Sequence, residues 1–232
     1  MMTKMVTPMA ARALIIAIDG PSGAGKGTVA RTLASRLGYR HVDTGAMYRA
    51  VAWKAREDGL DLNNADAVAA VAEHAVFTLD VHVAIDGRDV TQAIRTPEID
   101  AAAAIVARHP PVRAVLVRRQ REYAQSGGVV MEGRDIGTVV VPDADVKLYL
   151  DASPDERARR RAADPAHSAS RQGAGVASIA QALEARDLSD RTRAASPLAM
   201  ASDAVYVDTT GMDIAEVIAK VLTIVNDRTS AP

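Results

Sequence analysis

The chain has 232 residues, 48% of them apolar, with 28 basic against 29 acidic side chains. A balance so close to zero argues against nonspecific binding to nucleic acid or anionic membrane, and an aromatic content of 3% leaves few stacking platforms for single strands. There is no cysteine, which excludes disulfides and thiolate metal sites.

Residues 1–12, with Thr3, Lys4, Thr7 and Pro8 among them, lack the continuous apolar core of a signal peptide and read as a disordered leader. No apolar run approaches the ~20 residues of a membrane span, so the expected location is the cytosol. Residues 13–232 read as one domain. Residues 13–18 are a short apolar run, a buried strand. Residues 25–37 read as a helix, with Val29, Leu33 and Leu37 four apart and Gly38 as its stop. Between them, Gly20-Pro21-Ser22-Gly23-Ala24-Gly25-Lys26-Gly27-Thr28 fits G-x-x-x-x-G-K in the strand-to-helix setting that a phosphate loop requires. Glycines let backbone N–H groups curl around phosphate oxygens, and the helix N-terminus adds partial positive charge. Lys26 reaches the β and γ phosphates. The hydroxyl comes at Thr28, one residue later than in the general motif, where Gly27 stands instead.

Arg40–Asp43 is the second strand, and residues 45–58 form a helix ended by Gly59. Phe77, Leu79, Val81, Val83 and Ile85 then alternate with mostly polar neighbours before an Asp86-Gly87 turn. This predicts an antiparallel insert around residues 76–95. Thr96-Pro97 and Pro110-Pro111 open two more helices. Strands follow at 129–132, 146–150 and 204–207. Ser153-Pro154-Asp155-Glu156 is a capping box with proline at the first helical position, and Asp213 to Glu216 opens the last helix in the same way. Residues 162–177 are rich in Ala, Ser and Gly, and read either as a mobile lid or as a solvated loop. The alternation predicts an α/β class: a three-layer P-loop fold with a five-stranded parallel sheet, helices on both faces and a small antiparallel insert.

The phosphate loop fixes only a nucleotide donor, so the acceptor must be read elsewhere. Asp43-Thr44-Gly45-Ala46-Met47-Tyr48-Arg49 leaves the second strand, and Gly133-Arg134-Asp135-Ile136-Gly137-Thr138 leaves the third. Together with the phosphate loop ending in Lys26-Gly27-Thr28, these segments resemble bacterial cytidylate kinases, a likeness that runs from about residue 14 to the final helix. It implies transfer of the ATP γ-phosphoryl group to CMP or dCMP, with Mg²⁺ held by Thr28. Arginine suits a monophosphate because its planar fork meets oxygens bidentately. By resemblance, Arg49, Arg134 and Arg193 hold the acceptor phosphate. Arg113 and Asp135 face the cytosine, with Thr44 nearby and Tyr48 packed beside the acceptor. Arg186 and Asp190, on one helix face with Arg193, touch the ribose. Arg157 and Arg160, with Arg161, close from a lid over about residues 157–177 onto the donor phosphates. Taken alone, Arg113 reads as a solvated surface residue, and Arg161 reads equally as a partner of Asp155 or Glu156. The family carries a serine near the base where this chain has Ala104, which bears on cytosine-over-uracil choice.

The implied partners are small molecules, with no polymer and no membrane, and a monomer is expected. The alternatives are a UMP or other nucleoside monophosphate kinase, a shikimate-type kinase, and a nucleotide-dependent regulatory ATPase. The arginine-rich acceptor side disfavours an unphosphorylated acceptor, and the absence of an Asn-Lys-x-Asp segment disfavours a GTPase.

Overall fold

The computed structural model describes residues 13–165 and 175–230. The leader at 1–12 and most of the irregular stretch at 162–177 lie outside the described residues. Five strands form a parallel sheet in the order β2-β6-β1-β7-β8: β1 Ile15–Asp19, β2 Arg40–Asp43, β6 Val129–Glu132, β7 Val146–Asp151 and β8 Val205–Asp208. The helices described are α1 Lys26–Leu37, α2 Thr44–Glu57, α3 Ala65–His74, α4 Pro97–Val106, α5 Pro110–Ala124, α6 Pro154–Ala163, α7 Val176–Thr192 and α8 Ile214–Ser230. A π-helical turn, Ile136–Val140, follows β6.

Alternation along the strands assigns the two faces. Ile16, Ile18, Leu148 and Leu150 point to the side covered by α1 and α8, where Val29, Leu33, Val217, Ile218 and Val221 complete a buried layer. Ala17, Val42, Val129 and Met131 point the other way, onto Val117 of α5 and onto Ile136 and Val140 of the π turn. Both faces are covered, which is why the central strands β1 and β6 read as apolar runs. A second apolar layer joins α2 through α5, built on Met47, Val51, Val68, Val106 and Leu116.

The insert is a three-stranded antiparallel sheet: β3 Phe77–Leu79, β4 Val83–Ile85 and β5 Arg88–Asp89. Asp86 and Gly87 both have positive φ, 52° and 76°, as the tight hairpin turn between β4 and β5 needs. The alternation expected through Val81 breaks there. The chain reverses with Asp80 N–H donating to His82 C=O at 3.1 Å, and Val81 is 88% exposed. Trp53 of α2 packs with Val83, Ile85 and Val90 against this sheet.

All five strands of the main sheet end on a carboxylate: Asp19, Asp43, Glu132, Asp151 and Asp208. The loops at that edge carry the motifs read above, as expected for an open parallel sheet. Gly20 leaves β1 with φ 145°, and a Cβ there would stand 1.9 Å from the Leu150 carbonyl oxygen, so only glycine lets the loop begin. At the start of α6, Ser153 Oγ accepts from Glu156 N–H at 3.3 Å. Ser153→Ala is expected to cost about 1 kcal/mol, read as a melting temperature lower by about 2–4 °C. Among the described residues no helix is long and apolar enough to cross a membrane.

Candidate active site

The phosphate loop, the loops after β2 and β6, Arg160 and Arg161 of α6, and Arg186 and Arg193 of α7 and its cap open onto one cleft of about 590 Å³. Lys26 lies in the first turn of α1 and is only 6% exposed. Its Nζ donates to the Pro21 carbonyl at 2.6 Å, across the loop that the two residues bound. Burial, and then the Arg134 guanidinium, pull the Lys26 ammonium down to about 7. A cation so placed gains when an anion arrives. Thr28 is exposed on the same turn and lines the cleft. A Cβ at Gly27 would stand 3.1 Å from Glu132 Oε1, so the loop and that carboxylate pack closely here. Glu132 in turn meets His41 Nε2 at 3.0 Å, and Thr44 Oγ1 donates to its carbonyl at 2.7 Å. Thr28 and Glu132 therefore offer hard oxygen donors beside the loop. No cluster of three or more ligating His, Cys, Asp or Glu occurs among the described residues. One or two protein oxygens such as Thr28 and Glu132 fit Mg²⁺, which keeps phosphate and water ligands.

On the acceptor side, Asp43 caps α2 by accepting from Ala46 N–H at 2.9 Å and takes Arg49 Nη2 at 2.8 Å. Burial opposes ionisation of Asp43, but the Arg49 guanidinium holds its carboxyl well below the usual range. Arg49 Nε is buried and without a hydrogen-bond partner among the described residues. Arg113 and Asp135 form a buried ion pair, 3% and 5% exposed, and the Arg113 guanidinium lies 5.4 Å from the centre of the Tyr48 ring. The reading of Arg113 as a solvated residue is thus corrected: Asp135 supplies the countercharge that lets it sit inside. Arg193 caps α7, 7% exposed, with Nη1 3.3 Å from Asp190 Oδ1 and Nη2 3.6 Å from Asp135 Oδ1. Burial first, then Arg113, lowers the affinity of the Arg193 guanidinium for its proton. Arg134 donates from Nε to Asp190 Oδ2 at 2.9 Å and from Nη2 to Ser22 Oγ at 2.7 Å. The cleft is therefore crowded with cations that an anionic ligand would relieve.

The pair expected at the ribose, Arg186 and Asp190, divides. Asp190 serves Arg134 and Arg193, whereas Arg186 donates to Asp100 of α4 at 2.9 Å. Arg161 also approaches Asp100, at 3.7 Å, and not Asp155 or Glu156; Glu156 takes Arg159 and Arg160 at 2.8 and 2.9 Å. Arg160 faces the cleft while bound to Thr209 Oγ1 at 2.8 Å. Arg157 is the second correction. It is 8% exposed and turned behind the phosphate loop, where it pairs with Asp187 and donates to the Ser22 carbonyl at 2.9 Å. Its guanidinium braces the loop, and Arg157 is not among the residues that line the cleft. Ala104 lines the cleft on α4.

Three carboxylates of the site carry no motif. Asp19, 4% exposed, accepts from Ile136 and Gly137 N–H at 2.8 Å each and so pins the π turn after Asp135. Burial pushes it up to about 6 against the pull of those two N–H groups. Asp187 and Asp100 complete the set. Their only sequence signal is an acid at a strand end or on a helix beside known arginines.

Comparison with known proteins gives a consistent result. A sequence model described as cytidylate kinase matches residues 16–227. A cytidylate kinase of Desulfitobacterium hafniense is 47% identical, over 93% of this chain and 94% of that protein. One from Solibacter usitatus is 48% identical, over 93% of each. Among solved structures, an uncharacterized protein from Eubacterium ventriosum shares the fold with a TM-score of 0.52 at 14% identity, covering 93% of this chain and 99% of that one.

Proposed function

The chain belongs to the cytidylate kinase family, and from that premise we infer that its cleft runs ATP + CMP ⇌ ADP + CDP, with dCMP as a second acceptor. The observation that carries this reading is the meeting of two anion sites in one cleft: the phosphate loop around Lys26, and the group of Arg49, Arg134 and Arg193.

Phosphoryl transfer asks for alignment and charge neutralisation rather than covalent help. Backbone N–H groups of the loop and Lys26 hold the donor phosphates. The Thr28 hydroxyl would hold Mg²⁺, which would supply positive charge to the donor phosphates. Arg49, Arg134 and Arg193 hold the acceptor phosphate in line, Arg49 with a buried Nε left over for it. The Arg113–Asp135 pair presents a donor and an acceptor to the base, and a carboxylate accepting from an exocyclic amine favours cytosine. Arg186 and Asp190 would meet the ribose, and Arg160 the donor phosphates. The acceptor already carries its nucleophilic oxyanion, so no strong general base is needed.

The test is ADP release with MgATP and each of CMP, dCMP, UMP, AMP and GMP. CMP and dCMP are expected to stimulate release most. Turnover with UMP at the CMP rate would keep the kinase and show that Ala104 has relaxed base choice. No stimulation by any monophosphate would overturn the reading.

Lys26 supplies a pH prediction. Its ammonium loses the proton near pH 7 in the free cleft, and bound phosphate raises that value. Below pH 7 the charge is already present; above it, binding must recharge the amine. ATP affinity should therefore fall as pH rises beyond 7, and binding at pH 8 should take up close to one proton per ATP. Calorimetry in buffers of different ionisation enthalpy reads this directly. Lys26→Met should abolish the uptake.

A further inference from the structure

The phosphate loop is read as the donor's cradle, yet one of its side chains faces the other way. Ser22 is 1% exposed, and each of its polar groups is held by a different element. Its N–H donates to Asp187 Oδ1 on α7 at 2.9 Å. Its carbonyl accepts from Arg157 Nη1 on α6 at 2.9 Å, and Arg157 is itself paired with Asp187. Its hydroxyl oxygen accepts from Arg134 Nη2 at 2.7 Å. The backbone of Ser22 is thus fixed by a buried ion pair, and its hydroxyl is aimed at an arginine of the acceptor side.

That aim matters for Arg134. Nε is committed to Asp190 at 2.9 Å, Nη2 to Ser22 at 2.7 Å and Nη1 to the Gly133 carbonyl at 3.2 Å. A guanidinium has five N–H groups in a rigid plane, so these bonds leave one on each terminal nitrogen with its direction set. Two parallel N–H groups are what a phosphate takes bidentately. Gly133, the residue just before Arg134, offers only a longer contact from the same loop. Asp190 and Ser22 are the two anchors from other elements, and Ser22 makes the shorter bond.

Resting on the kinase reading above, we propose that Ser22 is a positioning residue for the acceptor. Its hydroxyl, braced by Asp187 and Arg157, orients Arg134 toward the acceptor phosphate, so that a side chain of the donor loop sets acceptor affinity.

The experiment is steady-state kinetics of Ser22→Ala in the full chain, varying CMP at saturating MgATP and then ATP at saturating CMP. Because the Ser22 N–H and carbonyl keep their partners, the melting temperature should hold. Loss of a hydrogen bond to a charged group should raise the acceptor KM about tenfold, while the ATP KM stays put. A merely structural defect would move both KM values and the melting temperature together. Ser22→Ala added to Arg134→Ala should leave the acceptor KM of Arg134→Ala unchanged, since the two act through one bond. A rise confined to the ATP KM, an unchanged acceptor KM, or full additivity with Arg134→Ala overturns the proposal. Wild-type turnover of CMP in the same assay separates failure of this inference from failure of the kinase reading.

Discussion

Replacing Lys26 by methionine should lower kcat by about 10²–10³-fold, the cost of removing one preorganised donor at the place where charge develops, while the fold holds or gains stability. The two halves of that expectation have one cause. Lys26 is 6% exposed and spends its ammonium on a single loop carbonyl, Pro21, at 2.6 Å. Burial and the nearby Arg134 make the charged form costly, which is why its proton is lost near pH 7. Methionine matches the length and apolar stem of lysine and removes the buried charge, so the unliganded protein is relieved. What disappears is the one ammonium of the loop that reaches the transferring phosphoryl group. Thermal melting and kinetics on the same preparation check both halves. A kcat near wild type would show that Lys26 does not serve the reaction; a collapsed melting temperature would show that it is structural.

The second large effect is on stability. Arg113→Met is expected to destabilise the chain by about 3–5 kcal/mol, because it breaks a buried ion pair and leaves Asp135 without its main countercharge. Asp135 is 5% exposed, and the remaining cation, Arg193, stands 3.6 Å away. That residual partner places the cost at the low end of the range. For a domain of this size the melting temperature should fall by roughly 6–12 °C. Arg113→Met with Asp135→Asn should recover part of the loss, because no uncompensated charge remains. Denaturant titration of the single and double variants measures the coupling. Equal losses in both would mean that packing, not charge pairing, holds this corner.

The parts of the fold that were legible in the sequence are the local ones. The phosphate loop sits between β1 and α1 because its glycines and the flanking apolar runs are contiguous. The five strands were found within one or two residues of their observed ends. Helix α3 is not among the elements read from the sequence: it is short and alanine-rich, and only Val68 and Ala72 of its face are buried, although Asn64 caps it by accepting from Ala67 N–H at 3.1 Å. The π turn after Asp135 was also missed, since it depends on Asp19, more than a hundred residues earlier in the chain, accepting from Ile136 and Gly137.

The site was legible as a set of positions and not as a set of partners. Helix spacing places Arg157, Arg160 and Arg161 on one face, but it cannot tell that Asp187 draws Arg157 behind the loop while Arg160 stays at the cleft. Nor can it tell that Asp135 carries Arg113 inside. Such pairs join residues far apart in the chain, and burial decides them only after the sheet has brought them together.

The central claim is that the cleft moves a phosphoryl group to a cytidine monophosphate and does not merely split ATP. It is tested most directly by incubating the full chain with CMP, Mg²⁺ and ATP labelled at the γ-phosphorus, and separating the products. The account predicts the label in the β-phosphate of CDP, with little inorganic phosphate whether or not CMP is present. Label recovered as inorganic phosphate, at a rate indifferent to CMP, would contradict it and leave a regulatory ATPase in its place.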